Sequence, residues 1–170
     1  DRYPGRLGLQ QRVLPNYRVP FFDMLSAACA GGLSVFAGMP RSNEGIVTGD
    51  PRVAQHALAR NVHILGSPLY LCYQSGLIAW LDEWNPQALI VEANPRYLST
   101  AAAVRWMHSR GRPVIGWGLG APPSDGLFGA LRRMRRTAFL QQFDALLAYS
   151  RRGAEEYAGA GVPRQRVFAA

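Results

Sequence analysis

Ala88, Leu89, Ile90, Val91, Glu92, Ala93, Asn94, Pro95 and Arg96 open the stretch that decides the fold, and it runs on to Trp117. Four apolar residues bounded by turn formers predict a strand buried on both faces. A helix is predicted from about Leu98 to Arg110, with Ser99 and Thr100 as capping candidates and Leu98, Ala101, Val104, Trp106 and Met107 toward one side. Pro113, Val114, Ile115, Gly116 and Trp117 then form a second strand. Two strands joined by one helix make a right-handed parallel unit, so both carboxyl ends lie on one edge of the sheet. Open α/β sheets bind ligands outside that edge, which places Glu92, Asn94 and Arg96 where a ligand would sit.

Outward from this unit the same alternation continues. Leu7 to Val13 reads as a first strand, and Leu14, Pro15, Asn16, Tyr17 and Arg18 leave it by a proline turn. A helix follows with Pro20 in its first turn and Phe21, Phe22, Leu25, Ala28 and Cys29 on one side, ended by Gly31 and Gly32. Leu33 to Ala37 is a second strand, Gly38 to Gly49 a polar loop, and Asp50 with Pro51 predicts a short helix ending near Arg60. Val62 to Leu65 reads as a third strand, Pro68 to Tyr73 as an ambiguous apolar segment, and Ser75 to Trp84 as a helix. Beyond Trp117, Ser124 or Asp125 caps a helix reaching Phe143, with Leu127, Leu131, Met134 and Ala138 on its apolar face. Asp144 to Ala148, a helix capped by Ser150 and Arg166 to Phe168 complete the pattern. The fold class expected is α/β: a Rossmann-like, doubly wound, mostly parallel sheet with helices on both faces, formed by residues 1–170 as one domain.

Composition narrows the function. No apolar run reaches the roughly 18 residues that span a bilayer, and Asp1 to Pro15 has no signal-peptide pattern. Cys29 and Cys72 sit in apolar surroundings without metal or redox spacing, which suits reduced, buried thiols and a cytoplasmic location. His56, His63 and His108 show no ligand spacing, so no metal site is expected. The net charge is +8, and all 19 basic residues are Arg. Without Lys there is no phosphate-cradling or Schiff-base lysine, and neither a G-x-S-x-G elbow nor a G-x-x-x-x-G-K loop occurs. Gly116, Gly118 and Gly120 fail the dinucleotide pattern, because Pro122 and Pro123 intervene before any helix. They suit close approach of a loop to a ligand or neighbouring turn, or a tight strand-to-helix turn.

Two clusters carry chemistry. Glu92 at a strand end can act as a base or bind sugar hydroxyls, and an Arg can hold a phosphate through its planar fork. The same holds for Asn16, Tyr17 and Arg18 after the first strand, whereas Asn94–Pro95 is equally a turn starter. Trp117 joins these as a lining residue. Arg132, Arg133, Arg135 and Arg136 form a basic helix, read first as a solvated face and second as an interfacial helix on anionic lipid. Duplex DNA is the weakest reading, since no aromatics interleave and no helix-turn-helix spacing occurs.

Several segments together resemble the amino-terminal domain of a GT-B fold glycosyltransferase of the retaining group 1, or family 4. They are Gln11, Arg12, Leu14, Pro15, Tyr17, Arg18, Pro20, Phe21, Phe22 and Leu25; Glu92, Asn94, Pro95 and Arg96; and Phe143 through Ser150 to Gly161, Val162, Pro163 and Val167. The resemblance implies the acceptor-binding half of an enzyme that moves a sugar from a nucleotide-sugar donor to a sugar or lipid-linked acceptor. It implies no cofactor, a donor held by a carboxyl-terminal domain beyond Ala170, and acceptor contacts from Asn16, Tyr17, Arg18, Asn94, Arg96 and Trp117. Glu92 is the candidate catalytic residue, and this chain by itself is expected to transfer nothing. The usual glycine-rich turn after the first strand is replaced here by Leu14, Pro15, Asn16 and Tyr17. Arg132, Arg133, Arg135 and Arg136 would dock on the anionic inner face of the membrane. A second reading of the same cleft is a non-catalytic α/β module that binds a small anionic ligand.

Overall fold

A computed structural model describes residues 2–66, 69–121 and 129–170. Its strands are β1 (Leu7–Val13), β2 (Leu33–Gly38), β3 (Gln55–Ile64), β4 (Leu71–Ser75), β5 (Ala88–Glu92), β6 (Val114–Gly118), β7 (Ala145–Ala148) and β8 (Val167–Ala169). Its helices are α1 (Val19–Ala27), α2 (Leu77–Trp84), α3 (Thr100–His108), α4 (Gly129–Gln141) and α5 (Arg151–Gly159). The eight strands form one sheet in the order β4-β3-β2-β1-β5-β6-β7-β8. Every pairing is parallel except β3 with β4. This is the Rossmann-like α/β architecture expected, with helices on both faces.

The chain winds from β1 out to β4, then returns to β5 beside β1 and winds the other way. The switch point therefore lies between the carboxyl ends of β1 and β5, where such sheets open a crevice. The core is split by the sheet. On one face Leu7, Leu9, Leu33 and Val35 pack with Phe22 of α1 and with Trp117. On the other, Leu89, Val91 and Leu146 pack with Trp80, Met107, Leu140 and Tyr157 from α2 to α5.

Four expectations are corrected. The helix predicted from Asp50 to Arg60 does not exist: Gln55–Ile64 is one long strand, parallel to β2 and antiparallel to β4. Its alternation is inverted, with Leu58, Arg60, Val62 and Ile64 outward while Ala59, Asn61 and His63 turn inward. A period of two hidden behind apolar residues on the solvent side reads as no strand at all. Asp50 caps nothing, and its carboxylate instead meets His56 Nδ1 at 3.0 Å. The βαβαβα alternation is thus broken by a β3–β4 hairpin.

Ser99 occupies the N-cap of α3, but its hydroxyl makes no capping bond. It accepts from Gln74 N (2.7 Å) and donates to Gln74 O (3.2 Å), tying the helix to β4. Leu98 and Ala101 face outward, and the buried side of α3 is Ala103, Val104, Trp106 and Met107. In α4 the predicted apolar face is likewise exposed: Leu131 is 42% and Met134 65% accessible, and Ala138 is exposed too. The helix is anchored instead through Leu140 at its end. Leu127 and the capping candidates Ser124 and Asp125 lie outside the described residues.

A buried amide network replaces hydrocarbon under the switch point. Gln74 Nε2 donates to Gln11 O (3.0 Å) and to Asn61 Oδ1 (2.9 Å), and its Oε1 accepts from Gln10 Nε2. Gln10 Oε1 in turn accepts from Glu92 N at 3.3 Å. Gln74→Leu keeps the volume but strands these partners, at a cost of about 1–3 kcal/mol. Urea unfolding of the two proteins measures it, and an unchanged midpoint would show that the amide network adds nothing.

Candidate functional site

The site is assembled from four chain turns at one sheet edge. After β1 the chain makes a single 3-10 turn, Asn16–Arg18, and enters α1 with Pro20 in its first turn. Pro there costs no hydrogen bond and presets the backbone angle. Phe22, fully buried against the sheet, fixes how α1 lies, and Arg18 at the head of the helix then reaches across to β6. Its guanidinium carbon is 5.2 Å from the Trp117 ring centre, 5.4 Å from that of Tyr149 and 5.6 Å from that of Tyr17. Trp117 and Tyr149 lie 5.1 Å apart, with Phe21 5.9 Å from Trp117 on its other flank.

Glu92 ends β5 in register with Trp117 of β6, so both side chains rise from the same face. Its carboxylate accepts the Arg12 N–H at 2.7 Å. Burial pushes the carboxyl pKa up, and the Arg12 hydrogen bond and the charges of Arg18 and Arg12 oppose this without cancelling it. A carboxyl held toward its neutral form beside a crevice is suited to proton exchange with a hydroxyl. Desolvation also raises the hydroxyl of Tyr97, an effect the Glu92 charge adds to, and that of Tyr149.

These groups line a cleft of about 430 Å³ with Ala93, Asn94, Pro95, Gly118, Leu119 and Gly120. That volume falls in the range of small-ligand sites. Of the sequence-derived candidates, Arg18, Glu92, Asn94 and Trp117 are brought together on its walls. The Asn94 side chain also closes its own turn, accepting the Arg96 N–H at 3.0 Å. Arg96 points into solvent and does not line the cleft, and neither does Asn16. Tyr17 is 72% exposed and joins through its ring contact with Arg18.

Sequence reasoning missed Tyr97 and Tyr149. Tyr149 directly follows β7, so the strand-end rule that found Glu92 would have found it too. The glycine series serves close packing against α5. A Cβ on Gly120, at φ +125°, would meet Gly153 Cα at 2.8 Å, and one on Gly118 would meet the Tyr157 hydroxyl at 2.6 Å. Gly116 faces the core instead, where Phe143 and Leu146 leave no room for a Cβ.

Behind the cleft, Arg12 bridges Glu44 at 2.8 Å, and Arg41 meets Glu44 at 3.1 Å. Burial resists ionisation of Glu44, but the hydrogen bonds from Arg12 and Arg41 outweigh it and hold the carboxyl down to about 2. A larger hollow of about 790 Å³ lies between α4 and α5, bordered by Arg133, Met134, Thr137 and an Arg152–Glu156 pair. It holds none of the strand-end groups. Among the described residues no three His, Cys, Asp or Glu side chains are grouped to hold a metal ion.

No family model matches the chain, and no curated protein matches it by sequence. Among solved structures it is similar to UDP-N-acetylglucosamine 2-epimerase from Rickettsia bellii, with a TM-score of 0.55 and 14% identity over 96% of this chain. The chain spans 44% of the length of that epimerase chain. At this identity the likeness is one of fold alone, a Rossmann-like α/β sheet, and it does not single out group 1 or family 4.

Proposed function

We propose that this chain is the acceptor-side domain of a retaining glycosyltransferase, moving a sugar from a nucleotide-sugar donor to an acceptor hydroxyl. The observation that carries the reading is the cleft at the switch point, where a half-buried carboxyl, Glu92, shares the walls with the ring-bound guanidinium of Arg18. Aromatic faces suit the C–H face of a sugar ring, and Glu92 suits a hydroxyl that must lose its proton as the new bond forms. In this reading the donor is gripped by a second domain, and α4 lies against the cytoplasmic face of an anionic membrane. Exposed Leu131 and Met134 beside Arg132 and Arg135 give that helix the mixed apolar and basic surface that suits a bilayer interface and a lipid-linked acceptor.

The test uses the full-length protein that contains this chain. Incubated with uridine, guanosine and thymidine diphosphate sugars, it should release nucleoside diphosphate only when a saccharide or polyprenyl phosphate acceptor is present. Nuclear magnetic resonance should show the donor's anomeric configuration retained in the product. Conversion of the donor sugar to an epimer with no acceptor present would sink the transferase reading.

A further inference from the structure

We propose that the acceptor is anionic, and that Arg18 binds an oxyanion on it, a phosphate or a carboxylate carried by the accepting sugar. This rests on the reading of the cleft as the acceptor side.

Four observations converge on Arg18. First, Arg12, Arg41, Arg110 and Arg152 each pair with a carboxylate, whereas no Asp or Glu among the described residues forms an ion pair with Arg18. Second, its guanidinium is held by the ring faces of its neighbour Tyr17, of Trp117 in β6 and of Tyr149 just after β7. Such contacts orient the charge while leaving N–H donors of the planar fork available to a bidentate acceptor.

Third, Trp117, only 8% exposed, has a buried indole N–H with no partner among the described residues. A buried indole normally donates. Gln11 is fully buried, with both amide atoms unpartnered among the described residues. The register of β1 with β5, extended one residue past the Gln10–Val91 pair, sets Gln11 beside Glu92. Of Trp117 and Gln11, the former lines the cleft, where a polar ligand can complete the bonding of its indole, and the latter lies in the layer beneath. Fourth, Arg18 is the cation among the described residues on the cleft walls, so an anion entering the cleft meets it there. The oxyanion would sit against Arg18, with the sugar ring toward Tyr97 and Glu92.

The experiment titrates the full-length protein with glucose 1-phosphate, glucuronate, glucose and uridine diphosphate. It follows the Trp117 indole resonance, assigned with Trp117→Phe. Glucose 1-phosphate, glucuronate or both should bind at least about tenfold tighter than glucose, equivalent to about 1.4 kcal/mol, and should shift that resonance. Which of them binds distinguishes a phosphate-bearing acceptor from a uronic one. Arg18→Gln should erase the preference, and Arg18→Lys should retain part of it, since Lys keeps the charge but not the fork. Equal binding of glucose, or a preference that survives Arg18→Gln, overturns the proposal. So does displacement of the sugar phosphate by uridine diphosphate, which would assign Arg18 to the donor. Undiminished turnover of an anionic acceptor by Arg18→Gln overturns it while leaving the transferase reading standing. Arg18-dependent oxyanion binding without turnover on any acceptor supports the anion site and sinks the transferase.

Discussion

Glu92→Gln lowers acceptor-dependent turnover by about 10²–10⁴-fold in the full-length protein, the range lost with a general acid or base. The same substitution makes the fold more stable at neutral and alkaline pH. Burial raises the Glu92 pKa above its ordinary 4.5, so the folded state binds this proton more tightly than the unfolded one. Its favourable contribution is complete below the unfolded pKa and is lost as pH rises through the folded pKa; above that, a buried charge is maintained at a cost. Gln cannot ionise and its amide oxygen can still accept the Arg12 N–H, so the gain is largest above the folded pKa and fades on acidification. Turnover and thermal unfolding measured from pH 4 to 9 check both limbs. A variant less stable than wild type yet fully active would make Glu92 a structural residue and remove it from the chemistry.

Phe22→Ala is the largest stability effect expected from a single side chain, about 3–5 kcal/mol. The ring is wholly buried between α1 and the sheet, 6.4 Å from Trp117 in an edge-on contact and 5.6 Å from Phe21. Truncation removes both its transfer energy and the contacts around it, and α1 is covalently continuous with Arg18. Loss of oxyanion binding should therefore accompany the loss of stability. Phe21→Ala is the internal control: its ring is half exposed, so its removal costs much less. Urea unfolding decides the matter. A cost below about 1 kcal/mol for Phe22→Ala would mean that α1 is not seated by this residue.

Much of this was legible in the residues. Apolar runs such as Leu89–Val91 and Val35–Ala37 announce strands covered on both faces, and parallel strands with helical crossovers put their carboxyl ends on one edge. That alone brings Arg18 and Glu92 to one edge. The strand β3 was illegible because local pattern and burial disagree: Leu58, Val62 and Ile64 face outward, and Asn61 is drawn inward by Gln74 and the carbonyls of Arg12 and Met39. Ser99 was misjudged for the same kind of reason, since Gln74, 25 residues away, competes successfully for its hydroxyl. In α4 the apolar stripe is real, but Leu131 and Met134 stay exposed among the described residues. Periodicity reports which residues share a side, not whether anything covers them.

The sequence by itself therefore determined the strand and helix order of the central unit, the parallel sheet and the edge on which ligand groups gather, because those follow from short-range patterning and chain handedness. Only the tertiary structure decided which of the polar candidates meet. Arg18 is turned inward by three rings, Tyr97 and Tyr149 join it, and Arg96 and Asn16 stay outside. The reason is physical: side-chain direction at a loop is set by contacts between residues far apart in the chain, such as the 99 positions separating Arg18 from Trp117, and no local pattern encodes them.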